Sequence, residues 1–593
     1  MTKQLIFFFA CISVAVAFGA NALQPDAAKK KLASENDYTV ANNALECKVT
    51  VINIPWSFPS NRIDWLFNPT KKKGPFNPEW TWQLNRMYFW ESMAKVYRDT
   101  GDEKYAQAFA RQLESWLDQT GGVPPKQNYN VVGSAFRTIE QGLRLMSFWP
   151  TVWEKFGKSP AFTDELKHRF IDSMRAQANH LIAHKTRANW LLMEMNGVHS
   201  FACLFPDFPE SARLRQESAK IFCEAISKQV LPDGLQDELS PDYHCVYYLC
   251  ASGLYLRSKK YGFEDEISRE FRSLLEKSAE ATLALTTSAF VQPRFNDCFT
   301  IDTARVLSRA AKIFPEREDF RWGATHGREG NPPAGEVASR IFPYSGFAAM
   351  RSGWHCDAAY MAFDFGPLGM AHSHQDKLGF TLWKGNQEFI FDDGGGQYEQ
   401  SPMRAYAISG YDHNVLLVDG LAQRRKAPLR VQKPIIESDW QSDKNFDRVK
   451  GVYDQGFGPM SLNLAVHRRE IEFDKRAEIF RVTDFAESRD GKDHEWSLLF
   501  HLNTRNVKVA PDKRSLRTLT GGKWDLKLEL CADGEIASAV SGQREPTISG
   551  WFVGRTNEPV RPATTVTVKA KKSGKCKFIT VLKFIPSEKP ANQ

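Results

Sequence analysis

A chain of 593 residues exceeds what one hydrophobic core sustains, so two or more large domains are expected. An apolar fraction of 42% with 25% charged residues suits a soluble globular protein and excludes a disordered or fibrous chain. The net charge of +8 fits a polyanionic or a neutral partner equally well and calls for no nucleic acid.

The opening MTKQLIFFFACISVAVAFGANA reads as an export signal. Lys3 supplies the positive start, Leu5 to Phe18 the apolar stretch, and Ala20-Asn21-Ala22 the small-residue cleavage site. Residues 1–22 are therefore read as a leader, cleaved after Ala22, and the chain as periplasmic or secreted. No later segment supplies the roughly 18 apolar residues of a membrane span. Nine cysteines remain past the leader, and no close metal-type pair occurs among them. Cys203, Cys223, Cys245 and Cys250 lie in apolar helical contexts and read as buried thiols. Disulfide pairing and oligomeric state are not legible.

Residues 23–345 read as one domain, helical from 77 onward. The stretch 79–119 carries two amphipathic helices broken at Thr100-Gly101-Asp102. Five further helical segments follow, and the one at 189–205 is apolar almost all round. Repeated helical hairpins over this length suggest a solenoid or an α/α toroid. From 346 to 593 the period changes to strands with turn signals between them, among them a hairpin turn at Lys384-Gly385-Asn386. An antiparallel β-sandwich is expected there.

Three stretches could carry chemistry. In "RANWLLMEMNGVH", Asn189, Asn196 and His199 are polar positions on a largely apolar helix, where buried polar groups must find partners in protein, water or sugar. Asn189 could equally be only an N-cap. In "ELSPDYHCVYYL", Ser240 caps a helix that Pro241 opens, and Tyr243 sits in its first turn. The positive helix end there favours a phenolate, though a packed aromatic is the commoner role for one tyrosine. In "MAHSHQDKLGF", His372 and His374 would share one face if the segment is extended. With Asp392 and His413 they suggest a divalent metal site with an open position, or else ordinary polar strand ends.

Together these stretches resemble the heparinase II/III family of polysaccharide lyases, especially its heparinase III-like branch. The resemblance rests on Asn189-Trp190 with Glu194, "FPDF" at 205–208 and "DGLQDELSPDYH" at 233–244. It continues in "HSHQDKLGFTLWKGNQEFIFDDGG" at 372–395 and "DHNVLLVDG" at 412–420. It implies an incomplete (α/α) toroid followed by a C-terminal antiparallel β-sandwich. It also implies β-elimination on a uronic-acid polysaccharide, a heparan sulfate-like glycosaminoglycan being the first expectation. By the same resemblance Asn189 would neutralise the uronate carboxylate, and Tyr243 would act as base or acid with His372 as its partner. His374, Asp392 and His413 would hold a structural metal, zinc in the best comparison, with no organic cofactor. Trp190 stands where some branches have a histidine, which favours the asparagine-type site. Arg137 and Arg404 are candidate contacts to carboxylate or sulfate, or else ion-pair partners in the fold.

Other readings stay open: a lyase for alginate or another acidic glycan, or a toroid glycoside hydrolase using Glu238, Asp242 and Glu194. A glycan-binding protein without catalysis is the third.

Overall fold

The computed structural model describes residues 33–71, 76–126, 130–396, 401–426, 433–435, 438–554 and 560–587. The expected leader, residues 1–22, lies outside the described residues. The chain divides into two compact units. One comprises residues up to 229 with 249–273, and the other comprises 230–248 with 274 onward.

The first unit is helical, and local chemistry sets its breaks. Gly101, at φ +70°, ends the helix Tyr88–Thr100. Asp102 then caps Glu103–Thr120 by accepting from the Lys104 N–H at 3.1 Å. The first predicted helix is two pieces, because Met87 at φ +60° separates Glu79–Leu84 from Tyr88–Thr100. The helix Ala188–Leu204 is buried on nearly every face, as its composition predicts. Its Gly197 crosses Gly142 of the helix Thr138–Leu143, where an added Cβ would stand 2.7 Å from the Gly142 carbonyl oxygen. Trp65, Trp80, Trp90, Trp116 and Trp149 fill the interior.

The second unit is built on two antiparallel sheets. The eight-stranded sheet runs in the order Val507–Val509, Ser515–Thr518, Trp524–Leu530, Lys575–Pro586, Ile479–Ser488, Ala465–Asp474, Phe446–Tyr453 and Gln441–Ser442. The other sheet places Asp493–Leu502 between Thr564–Ser573 and Gln387–Ile390. It continues through Phe380–Lys384, Ala359–Asp364, Phe347–Arg351 and Arg340–Phe342. The predicted hairpin at 384–386 is present, with Lys384 opposite Gln387 and Gly385 at φ +58°.

Residues such as Phe380, Leu382 and Phe500 from one sheet and Val449, Ile471, Val482 and Phe578 from the other share one core, which makes the pair a sandwich. The far face of the nine-stranded sheet is also buried. There Phe347, Ala349, Tyr360, Ala362 and Trp383 pack on Leu231, Leu235, Leu239, Ala281, Leu285 and Phe295. This second layer brings residues 230–248 and 293–298 against loops at one end of the sheet.

All nine cysteines among the described residues are free thiols. Cys203, Cys245 and Cys250 are buried as expected, while Cys223 is half-buried. No helix among the described residues is long and apolar enough to cross a membrane.

Candidate functional site

Ser240 and Pro241 behave as their sequence suggests. Pro241 opens the helix Pro241–Lys260, and the Tyr243 N–H points at the Ser240 hydroxyl, 3.5 Å away. The Ser240 hydroxyl itself donates to the Asp297 carbonyl at 2.7 Å. Three irregular segments interlock here. Asn296 donates to the Leu239 carbonyl at 2.9 Å and accepts from the His374 N–H at 2.9 Å. The Asp297 N–H donates to the His372 carbonyl at 2.9 Å.

His372 and His374 are not on a strand, contrary to expectation. They lie in a loop ahead of Phe380–Lys384, and His372 takes φ +58°. What unites them is a carboxylate. Asp297 Oδ2 faces His372 Nδ1 at 3.0 Å, and its Oδ1 faces His374 Nε2 at 3.1 Å. Arg404 Nη1 donates to the same Oδ1 at 2.5 Å. Burial alone would raise the Asp297 carboxyl, but hydrogen bonds from both histidines and the Arg404 charge hold it well below the usual range. An ionised Asp297 favours the ring proton of His372 on Nδ1, the nitrogen that faces it, and turns Nε2 away from the carboxylate.

The Tyr243 ring lies flat against the His372 imidazole, with centroids 3.8 Å apart and planes 9° from parallel. Glu238 Oε2 stands 3.6 Å from His372 Nε2. Burial, then the neighbouring Asp237, push Glu238 up to about 8, so it is largely neutral at pH 7. Gly395 lets this assembly close. At φ +81°, an added Cβ would come within 2.3 Å of Arg404 Nη1 and 2.7 Å of Asp297 Oδ1.

Beside this pair, His374, Asp376 and His413 each present a donor atom within 4.8 Å of the others. Each has one polar atom held and one left over. His374 Nε2 meets Asp297 at 3.1 Å, His413 Nδ1 meets Asp392 Oδ1 at 3.0 Å, and Asp376 Oδ1 accepts from Arg425 at 2.5 Å. His374 Nδ1, His413 Nε2 and Asp376 Oδ2 are buried without a hydrogen bond. Two imidazoles and a carboxylate, each braced from behind, form a donor set that fits a divalent metal of the zinc type. The surrounding acids reinforce the fit. Burial pushes Asp392 up to about 6 and Asp393 up to about 7, a crowding of carboxylates that a cation relieves. Burial also pushes His374 down to about 4, leaving the neutral ring a metal requires.

Asp376 stands with His374 and His413 in this cluster, and Asp392, expected among the ligands, lies beside it with Oδ1 3.0 Å from His413 Nδ1. Asp392 keeps Oδ2 buried without a hydrogen bond. His413 itself follows the short turn Gly410–Asp412 and precedes the strand Leu416–Val418, rather than opening it.

The remaining candidates divide by unit. Asn189 is a buried residue of the first turn of Ala188–Leu204, and the N-cap is Arg187, so Asn189 is not the cap. Three expected substrate contacts in the helical unit have partners within the fold. Arg137 is buried and bonds Glu79 at 2.7 Å and Glu140 at 2.6 Å, with its guanidinium 3.8 Å over the Trp82 ring. Asn196 donates to the Cys250 carbonyl at 2.7 Å and accepts from Arg257 at 2.6 Å. His199 is fully buried with the Ser258 hydroxyl at 3.2 Å. Arg404 joins the site, but through Asp297.

Asp297 is the residue that sequence reasoning missed. "RFNDCF" carries no motif spacing, and only its neighbours in space give it a role. Asp376, two positions past His374 in the histidine stretch itself, was legible there as a third polar group.

Comparison with known proteins places most of the chain. The heparinase II/III N-terminus model matches residues 17–322, and the heparinase II/III-like C-terminal model matches 335–581. A heparin-sulfate lyase of Pedobacter heparinus is 30% identical over 336 residues, which is 56% of this chain and 49% of that protein. The chain thus spans about half the length of that relative. A heparin-sulfate lyase of Bacteroides stercoris is 29% identical over 514 residues, 82% of this chain and 72% of that protein. A solved structure of heparinase III has a TM-score of 0.78 at 18% identity, covering 97% of this chain and 88% of the other. A mutant of the heparan sulfate lyase HepC from Pedobacter heparinus scores 0.71 at 22% identity, covering 96% and 86%. At these identities the structural likeness speaks for the fold alone.

Proposed function

The chain belongs to the heparinase II/III family, and from that premise we propose that it is a periplasmic or secreted polysaccharide lyase. Its substrate is a uronic-acid polysaccharide, a heparan sulfate-like glycosaminoglycan first, cleaved by β-elimination to leave 4,5-unsaturated uronate ends. The observation that carries the reading is Tyr243 stacked on His372, whose Nδ1 faces Asp297 at 3.0 Å. The names of the relatives, heparin-sulfate lyases in both species, support the substrate class.

The chemistry suits these groups. The C5 proton of a uronate is acidified by its carboxylate, which resists a second negative charge once ionised. Asn189, as a neutral donor, would stabilise the developing enolate. His372 Nε2, with Nδ1–H held by Asp297, would remove the C5 proton, and Tyr243 would protonate the leaving O4. Where both protons lie on one side, Tyr243 would serve as base and acid in turn. Zinc at His374, Asp376 and His413 would pin the loops that carry His372 and Asp392, a structural role.

The test is ultraviolet absorbance of the conjugated uronate. Wild type and Tyr243→Phe are run on heparan sulfate, heparin, hyaluronan, chondroitin sulfates and alginate. A rise on one glycan that Tyr243→Phe abolishes supports the reading and names the substrate. New reducing ends without absorbance would identify a hydrolase. Binding without any product would identify a glycan-binding protein.

A further inference from the structure

The three donors of the metal cluster stand on loops of the nine-stranded sheet, yet a residue of the opposite sheet holds their backbone. Arg469, on the strand Ala465–Asp474, is fully buried. Its Nη1 donates to the Leu378 carbonyl at 2.5 Å and to the Asn414 carbonyl at 2.6 Å. Leu378 lies two residues past Asp376, and Asn414 directly follows His413. Leu378 holds φ +73°, a conformation that leucine adopts only when its surroundings impose it.

Asn414 extends the tie. Its side chain donates to the Phe380 carbonyl at 2.9 Å and to the Phe391 carbonyl, next to Asp392, at 2.7 Å. The arginine's charge is met on its own sheet, where Asp484 Oδ1 accepts from Nε at 2.7 Å and faces His467 Nε2 at 2.6 Å. One guanidinium thus fastens the segments of two donors, and through Asn414 that of the residue bracing His413.

We propose that Arg469 is a positioning residue for the metal centre, setting the spacing of Asp376 and His413 from across the sandwich. The proposal rests on the metal reading of the cluster. Donors held at their binding separation give up little freedom when the cation arrives, so loosening the tie weakens binding without removing a ligand. A tie that served packing alone would alter fold stability and leave affinity untouched.

The experiment uses the full chain stripped of metal. Zinc affinity is measured by competition with a chromophoric chelator, and the unfolding midpoint of the metal-free protein alongside it. Arg469→Lys keeps the charge but offers a single nitrogen, which cannot serve Asp484 from the Nε position and the two carbonyls from the Nη1 position together. The double variant Arg469→Met with Asp484→Asn removes both charges together, so neither is left buried alone. Expected is an affinity loss of about 10- to 100-fold in the double variant and about 10-fold in Arg469→Lys, with near-ultraviolet circular dichroism retained. Folded variants whose zinc affinity stays within about twofold of wild type would overturn the proposal, whatever their midpoints. A wild-type protein that takes up no zinc would instead overturn the metal reading, and this inference with it.

Discussion

Asp297→Asn keeps the side chain's shape and removes its charge, which makes it the sharpest probe of the site. The carboxylate lies 3.0 Å from His372 Nδ1. At an effective dielectric of about 20, unit charges at that distance attract by about 5–6 kcal/mol. Desolvation of the imidazolium that forms during proton abstraction offsets part of this, leaving about 3 kcal/mol, or roughly 10²-fold in rate. The amide adds a second effect. It offers one acceptor and one donor where the carboxylate offered two acceptors. If its NH₂ faces His372, the ring proton moves to Nε2 and the base is lost, taking the deficit towards roughly 10⁴-fold. The expected kcat loss is therefore between about 10²- and 10⁴-fold, with KM nearly unchanged because Asp297 acts through His372. The assay is the initial rate of unsaturated uronate formation at saturating zinc, so that weakened metal binding does not enter. A variant within about threefold of wild type there would refute the assignment of His372's tautomer to Asp297.

Tyr243→Phe retains the ring stacked on His372 and is expected to lower kcat by about 10²- to 10⁴-fold with an unchanged unfolding midpoint. For the metal, Asp376→Asn should weaken zinc binding at least as much as Asp392→Asn, whose loss should be about 10-fold, both read by chelator competition; the reverse order would make Asp392 the true donor. Glu238 predicts a pH dependence. Its folded-state pKa, about 8, lies above the ordinary value of 4.5, so the stability it contributes is full below about 4.5 and is lost as pH rises through about 8. Denaturant midpoints of the metal-free protein should fall across that window, and Glu238→Gln should flatten the slope. Gly395→Ala should fold yet lose most activity, since its Cβ would press on Arg404 and Asp297; wild-type rates would show that the contact relaxes freely.

The broad architecture was legible because it follows from periodicity and punctuation. Gly101 and Asp102 broke the helices where predicted, and the shift from helical to alternating patterning marked the sandwich. The site was legible only where the chemistry sits in short motifs. Ser240, Pro241 and Tyr243 took their expected places because a cap, a first-turn proline and a first-turn residue are local relations. His372 and His374 came together, but by a loop with a left-handed residue rather than by strand alternation. Asp297 was invisible because its role depends on contacts with residues more than 70 positions away. Arg137, Asn196 and His199 show the complementary side. A polar residue in an apolar setting must be satisfied, and in each case the fold supplies the partner.

The order of strands has a consequence for how the protein is made. The site draws on residues 238, 243, 297, 372–376, 392, 404 and 413, and Arg469 with Asp484 braces it from the other sheet. The strand Asp493–Leu502 must also pair with Gln387–Ile390 and Leu416–Val418 before the intervening loops have a frame. Such contacts between distant parts of a chain form late and slowly. The catalytic cluster is thus among the last features a growing or refolding chain completes. A fragment ending short of residue 493 would lack the interior strand on which the metal-bearing loops depend.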